Sequence, residues 1–178
     1  MEADLGAVRN LFAEPWGRPA PGLAPGDQAW LLNQAAFMLG ALGRLEEAVA
    51  PMRVGMDRRV EQEDWNNAAR SASNLSELEL TLGRVAAAVE NAERAVQFAD
   101  RSGDAFERLS DRTALADALH QAGERERALP LFQEAEAMQE QRQPQTPRLY
   151  SLQGFRYAEL LLAGAEGGRG GRRAPGRH

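Results

Sequence analysis

The sequence predicts an all-helical protein built from repeated pairs of helices. It is rich in alanine, leucine, glutamate, glutamine and arginine, which form helices readily. Isoleucine is absent and valine is sparse, so little of the chain favours β-strands. Glycines recur at intervals of 40 residues, at Gly43, Gly83 and Gly123. A constant period in this range is typical of solenoids.

The apolar positions around each glycine keep the same period. The matching sets are Ala35, Leu75 and Leu115; Ala48, Ala88 and Ala128; and Val49, Val89 and Leu129. Units with one period stack on one another and bury a continuous core. We therefore expect about three helix pairs in a single array.

The second repeat shows how one unit is expected to fold. Asp64 is a suitable N-cap, because its carboxylate accepts hydrogen bonds from amides of the first turn. Gly83 is expected to end the first helix with a positive φ. Between them, apolar residues recur every three or four positions and form one stripe: Ala68, Ala72, Leu75, Leu78 and Leu82. Small residues of the second helix then allow close packing: Ala88, Ala92 and Ala95.

This pattern resembles the tetratricopeptide repeat (TPR) family, in its longer, kinesin-light-chain-like form. The resemblance rests on the alanine-rich first helix, the glycine turn, and the pairs Glu47-Ala48, Ala87-Ala88 and Arg127-Ala128. It implies an all-α fold, a TPR-like α-solenoid of antiparallel helix pairs in a right-handed superhelix. The family's usual period is about 34 residues, so the longer period implies longer helices or longer loops between repeats.

The resemblance covers roughly residues 27–163. We expect three repeats, each with an aspartate as N-cap (Asp27, Asp64 and Asp104), at residues 27–62, 64–102 and 104–141. A half-repeat is expected at residues 147–163, where Thr146-Pro147 would begin a helix. That helix is expected to carry an apolar face without a partner in the chain, formed by Leu149, Leu152, Phe155, Leu160 and Leu161. The Leu149–Ala163 helix is therefore a possible site of self-association.

The two ends of the chain differ from the repeats. Residues 1–26 are predicted to hold a capping helix, Leu5–Ala13, and a loop rich in proline and glycine, Trp16–Gly26. Residues 164–178 are rich in glycine and arginine and are predicted to be disordered. The N-terminus lacks the features of a signal peptide, and no apolar run is long enough to span a bilayer. We expect a cytoplasmic protein without a membrane role.

The resemblance implies where a partner would bind. The groove positions of the family correspond to ten inward-facing residues of the first helices: Asn33, Phe37, Arg70, Ser73, Glu77, Thr81, Thr113, Asp117, His120 and Gln121. Stacking of the repeats is expected to place six of them side by side as Ser73/Thr113, Glu77/Asp117 and Thr81/Gln121. Such a groove is polar and somewhat acidic, and it favours a basic peptide. The alternative for each residue is an ordinary solvated helix face.

The sequence offers no arrangement of residues that supports catalysis, a metal or a cofactor. There is no cysteine, and nothing at a suitable spacing joins His120 or His178 in a metal site or a catalytic dyad. The absence of lysine excludes a Walker-type nucleotide-binding loop. We therefore predict a protein that is not an enzyme and binds no cofactor.

The charge distribution disfavours nucleic acid as the main ligand. Residues 165–178 contain four arginines and one glutamate, so residues 1–164 carry 17 basic and 25 acidic groups, or −8. A body with this acidic balance repels a polyanion. The partner is therefore expected to be a protein or a peptide.

Two functions remain open from the sequence. The first is a protein-interaction module that holds a peptide or a partner helix in its concave groove. The second is the ligand-sensing C-terminal part of a larger bacterial signalling NTPase of the STAND class. The repeat arrays of that class are similar to the stretches NLSELELTLG, DRTALADALHQAG and LYSLQGFRYAELLLA.

Overall fold

A computed structural model describes residues 2–170 of the chain, and the side chains of residues 4–165. These residues form eight helices: α1 (Glu2–Arg9), α2 (Pro25–Ala41), α3 (Leu45–Glu61), α4 (Trp65–Thr81), α5 (Val85–Ser102), α6 (Ala105–Gln121), α7 (Arg125–Arg142) and α8 (Ser151–Gly170). A short antiparallel hairpin lies between α1 and α2, formed by β1 (Phe12–Glu14) and β2 (Arg18–Pro19).

The helices form the predicted array of pairs. Within each repeat the two helices pack on each other, as α2 with α3, α4 with α5, and α6 with α7. The second helix of one repeat also packs on the first helix of the next, so α3 contacts α4 and α5 contacts α6. The buried apolar residues form three clusters along the array, and the predicted all-α solenoid is confirmed.

The turns within the three repeats are alike. Gly43, Gly83 and Gly123 have φ values of 73°, 74° and 79°, as the sequence predicted. At the second turn, the amide of Arg84 donates a hydrogen bond of 2.8 Å to the carbonyl of Glu79. A side chain at these glycines would strain the backbone, so the 40-residue spacing of glycine follows from the repeated turn.

The N-caps follow the prediction in two repeats out of three. Asp104 accepts hydrogen bonds of 2.9 Å from the amides of Phe106 and Glu107, and Asp64 accepts one of 3.4 Å from Asn67. The assignment of Asp27 is wrong. Helix α2 begins earlier, at Pro25, because the fixed φ of proline suits the first position of a helix. Asp27 therefore lies in the first turn.

The first residues of the chain differ from the prediction. The capping helix ends at Arg9 instead of Ala13, and the predicted loop contains β2 and the beginning of α2. The hairpin carries Phe12 and Trp16 into the core, where their rings meet edge to face at 5.5 Å. Burial of two aromatic rings stabilises this arrangement more than one further turn of a short helix would.

The last helix also departs from the prediction at both ends. It begins at Ser151, whereas Thr146-Pro147 predicted a beginning at residue 147. Residues 143–150 instead run as a loop, which inserts Leu149 into the core and places the carbonyl of Thr146 2.9 Å from the Gln139 side-chain amide. At the other end α8 continues to Gly170, although disorder was predicted from residue 164. Extension of an existing helix requires no new nucleation; residues 171–178 lie outside the described part of the chain.

The apolar face of α8 is only partly without a partner. Leu160 is completely buried and Leu149 nearly so, because they pack into the cluster around Phe132. Leu152, Phe155 and Leu161 are exposed. The expectation that the whole face lacks a partner is therefore wrong for the two buried leucines.

Candidate partner-binding groove

The first helices of the repeats, α2, α4 and α6, present most of the predicted groove residues at the surface. The exposed ones are Asn33, Phe37, Arg70, Glu77, Thr81 and Gln121, while Ser73 and His120 are half-buried. Thr113 and Asp117 are buried, at 0% and 8% exposure. The surface is thus made mainly by α2 and α4, and α6 is largely covered.

Thr113 does not line the groove. Its hydroxyl donates a hydrogen bond of 2.7 Å to the carbonyl of Ser110 within its own helix. The predicted Ser73/Thr113 pair is therefore not formed. The Ser73 hydroxyl instead donates to the carboxyl of Asp111, two residues earlier on α6. Two residues correspond to about 200° around a helix, so Thr113 and Asp111 lie on nearly opposite sides of α6 and Thr113 does not meet Ser73.

Glu77 and Asp117 lie close together, as the sequence predicted. The residue that links them, an arginine of α8, was not predicted. Arg156 of α8 lies between them, with its Nη2 2.8 Å from Glu77 Oε1 and its Nε 3.0 Å from Asp117 Oδ2. Burial raises the pKa of Asp117, and the charge of Arg156 opposes that rise. The acidic pair is thus occupied by an arginine of the chain itself.

The third predicted pair, Thr81 and Gln121, is not joined by a hydrogen bond. The Thr81 hydroxyl donates to the carbonyl of Glu77 in its own helix at 2.9 Å. The Gln121 side chain hydrogen-bonds to Asp117, also within one helix. Both residues remain exposed and available to a partner.

A second ionic contact joins α4 and α6 near the beginning of both helices. Arg70 Nε lies 2.5 Å from Glu107 Oε1, and the hydrogen bond raises the pKa of Arg70. Glu107 is buried, whereas the Arg70 side chain is more than half exposed. Arg70 therefore neutralises a buried carboxylate and still presents part of its guanidinium to the groove.

Asp111 lies beside this contact and is 1% exposed. Its Oδ2 has no hydrogen-bond partner among the described residues. Burial raises the pKa of Asp111 to about 7; the Ser73 hydrogen bond opposes this rise, and the negative charge of Glu107 adds to it. The groove wall thus contains a carboxyl group that holds its proton up to neutral pH.

The groove widens between α2 and α4. Helices α4 and α6 pack directly on each other, whereas α2 and α4 make no comparable contact. The gap leaves a cavity of about 240 Å³, floored by α3 and lined by Ala29, Leu32, Asn33, Ala36, Phe37, Pro51, Met52, Gly55, Arg59, Ser71 and Asn74. Its lining is mixed apolar and polar, with Arg59 as the one charged residue. Asn33 and Phe37 therefore belong to a wider part of the groove than the residues of α4 and α6.

The described part of the chain shows no site for other kinds of ligand. No three histidine, aspartate or glutamate side chains in it are arranged to hold a metal ion. None of the helices in residues 2–170 combines the length and the apolar character needed to cross a membrane.

The chain is similar in structure to TPR-like repeats. Two crystal structures of nearly identical TPR-like repeats, from a Podosopora anserina protein described as a kinesin light chain, match it with TM-scores of 0.66 and 0.65. The match covers 94% of this chain and 77% of each of those chains, at 19% and 18% sequence identity. No protein-family model matches the sequence, and no curated protein matches it. The likeness therefore shows the fold, a TPR-like α-solenoid.

Proposed function

We propose that this chain is a protein-interaction module that binds a peptide or a helix of a partner on the concave side lined by α2, α4 and α6. The observation that supports the proposal is Arg156, whose guanidinium bridges Glu77 and Asp117. A groove that accommodates an arginine from the chain's own helix has the charge and spacing to accept a basic side chain of a partner. The expected partner is therefore a basic peptide or helix.

The architecture supports a binding role over an enzymatic one. TPR-like solenoids display side chains along a groove built from rigid helix pairs, and the helices behind this groove are packed through alanines that are completely buried. Catalysis would require titratable groups that converge in a pocket. The cavity between α2 and α4 has only Arg59 as a titratable lining residue.

The concave side is tested by paired charge substitutions. Peptides selected against the chain from a display library are expected to be enriched in arginine and lysine. Thr81→Arg, at the exposed end of α4, should weaken their binding at least tenfold through charge repulsion and bulk. Glu90→Arg, at an exposed position of α5 outside the groove, should change the affinity for these peptides by less than twofold. Fluorescence anisotropy measures both, and selective loss in Glu90→Arg would place binding on the outer face and contradict the proposal.

A second candidate is the ligand-sensing part of a larger STAND-class signalling NTPase. The exposed Leu152, Phe155 and Leu161 favour it, because an additional helix of a longer array would cover such residues. Mass spectrometry of the native protein tests this candidate. Peptides that continue into a nucleotide-binding domain would support it, and a native mass equal to that of the 178-residue chain would contradict it.

Self-association is the third element of the proposal. Four large apolar side chains of α8 are 47–64% exposed, namely Leu152, Phe155, Leu161 and Leu162. Pairing of two copies through this side would remove apolar area from water. Sedimentation velocity should show a reversible dimer that Phe155→Ser dissociates, whereas Phe37→Ser, at an equally exposed phenylalanine of α2, should leave it intact. A wild-type chain that stays monomeric at about 100 μM, a concentration at which even a weak dimer would form, would rule out self-association.

A further inference from the structure

Helix α8 is held against the rest of the chain by three side chains on one side. Arg156 bridges Glu77 and Asp117. The ring of Tyr157 stacks on that of Phe132, with centroids 4.9 Å apart and 13° between the planes. Leu160, one turn after Arg156, is completely buried in the cluster that contains Phe132. The seat of α8, defined by Glu77, Asp117 and Phe132, thus provides two carboxylates, an aromatic ring and an apolar pocket.

The remainder of α8 is attached less firmly than the helices of the three repeats are to one another. It makes much less contact with α7 than α4 makes with α3 or α6 makes with α5. The loop of residues 143–150 that leads to it contains Pro144 and Pro147. At the end of this loop Ser151 has a φ of 55°, which costs a residue other than glycine about 1 kcal/mol or more. These features make α8 easier to detach from the solenoid than any helix of the three repeats.

We propose that the seat of α8 is a docking site for a partner helix, and that α8 occupies it in cis until such a helix replaces it. This inference rests on the proposed function and names its partner class. The partner is an amphipathic helix with an arginine, an aromatic residue directly after it, and a leucine four residues after the arginine. On a helix the arginine and the leucine lie on one face and the aromatic residue flanks it, as in α8.

The seat selects arginine over lysine. Its two carboxylates come from different helices, α4 and α6, and two separate nitrogens of the Arg156 guanidinium reach them at 2.8 and 3.0 Å. A planar guanidinium offers donors in fixed directions, whereas the ammonium of lysine is a single charged centre. A partner helix with lysine at this position is therefore expected to bind less tightly.

The loop of residues 143–150 joins α8 to α7 and so favours binding of α8 to its seat over binding of a separate helix. A segment joined by a short loop is present at an effective concentration on the order of millimolar. A free helix of the same sequence therefore competes poorly with α8 in the wild-type chain. Weakening α8 alone should open the seat without altering the residues that form it.

The test uses α8 itself as the probe. A fluorescein-labelled peptide of residues 148–163 is added to the full 178-residue chain, and binding is followed by anisotropy. Arg156→Gln in the protein should increase the affinity for this peptide at least tenfold over wild type, because the cis helix loses its ionic anchor. Arg148→Gln is the matched control, since Arg148 pairs with Glu136 outside the seat, and it should behave like wild type.

A second set of measurements identifies the residues recognised. The same peptide with Gln in place of its arginine should bind Arg156→Gln protein at least tenfold less tightly. Glu77→Gln, at a half-exposed position of α4, should reduce the affinity of Arg156→Gln protein for the arginine peptide and should leave the helical circular dichroism unchanged. Unchanged circular dichroism would show that the lower affinity comes from lost recognition of the arginine and not from a folding defect.

Three results would overturn the inference. The first is equal affinity of the peptide for wild-type and Arg156→Gln proteins. The second is equal binding of the arginine and glutamine peptides. The third is failure of the α8 peptide to bind Arg156→Gln protein while library peptides still bind in a manner sensitive to Thr81→Arg. That last result would reject the seat of α8 as a docking site and retain the proposed function of the groove.

Discussion

Phe132→Ala is expected to lower the free energy of unfolding by about 3–5 kcal/mol, as for other buried aromatic residues. Phe132 is completely buried in α7, at the centre of the cluster that joins α6, α7 and α8. Its removal leaves a cavity, and Tyr157 loses the ring on which it stacks. Urea denaturation followed by circular dichroism measures the loss.

Phe37→Ala provides the control for this substitution. Phe37 is 68% exposed on α2, so the same change in side chain should alter stability by no more than about 0.5 kcal/mol. A loss below about 1 kcal/mol for Phe132→Ala would mean that α8 does not pack on α7 as described. The seat of α8 would then have to be reconsidered.

Asp111→Asn is expected to stabilise the protein above neutral pH and to have much less effect in acid. The pKa of Asp111 is raised from 3.8 to about 7 by burial. The folded chain therefore keeps a proton that the unfolded chain loses above about pH 4, and stability falls as the pH rises towards 7. One unit of pKa difference between the folded and unfolded chains corresponds to about 1.4 kcal/mol, so the free energy of unfolding is lower by roughly 4 kcal/mol at pH 8 than in acid. Asparagine does not ionise, so the Asp111→Asn protein does not suffer this loss of stability.

Denaturation at pH 4 and at pH 8 checks this expectation. The difference in stability between Asp111→Asn and wild type should grow by several kcal/mol between the two values, on the order of the linkage above. The charged groups around Asp111 are Arg70 on α4 with Glu107 and Arg112 on α6, and they are the same in both proteins. A difference that is independent of pH would show that Asp111 is ionised at neutral pH, with a partner for its second oxygen.

The repeated core could be predicted from the sequence because it depends on local signals. The glycines fix the turns, since their positive φ is costly for other residues. Alanines at constant spacing mark where two helices approach closely, and they are completely buried in the structure. Asp104 begins α6 by accepting hydrogen bonds from the amides of that helix's first turn. None of these signals requires knowledge of distant residues.

The groove was less predictable because its residues are defined by contacts between repeats. Equal spacing placed Ser73 opposite Thr113, but the hydroxyl of Ser73 meets Asp111. The spacing placed Glu77 and Asp117 together correctly, yet gave no indication that Arg156 would occupy them. Arg156 lies 79 residues from Glu77 along the chain. Only the position of α8 on the folded array brings them together.

The ends of the chain were mispredicted for a similar reason. Residues 10–13 fit the pattern of the short N-terminal helix, but burial of Phe12 and Trp16 against α2 decides their conformation. Pro147 suits the first turn of a helix, but insertion of Leu149 into the core keeps residues 148–150 out of the helix. In both places tertiary packing overrides the local preference of the sequence.

The central claim, that a partner binds on the concave side and displaces α8, is tested most directly by hydrogen exchange. Backbone amides exchange through local opening, so the rate in each helix can be compared with and without a saturating library peptide. The account predicts slower exchange in α2, α4 and α6 and faster exchange in α8. Slower exchange confined to α3, α5 and α7, with α8 unchanged, would place the partner on the convex side and contradict it.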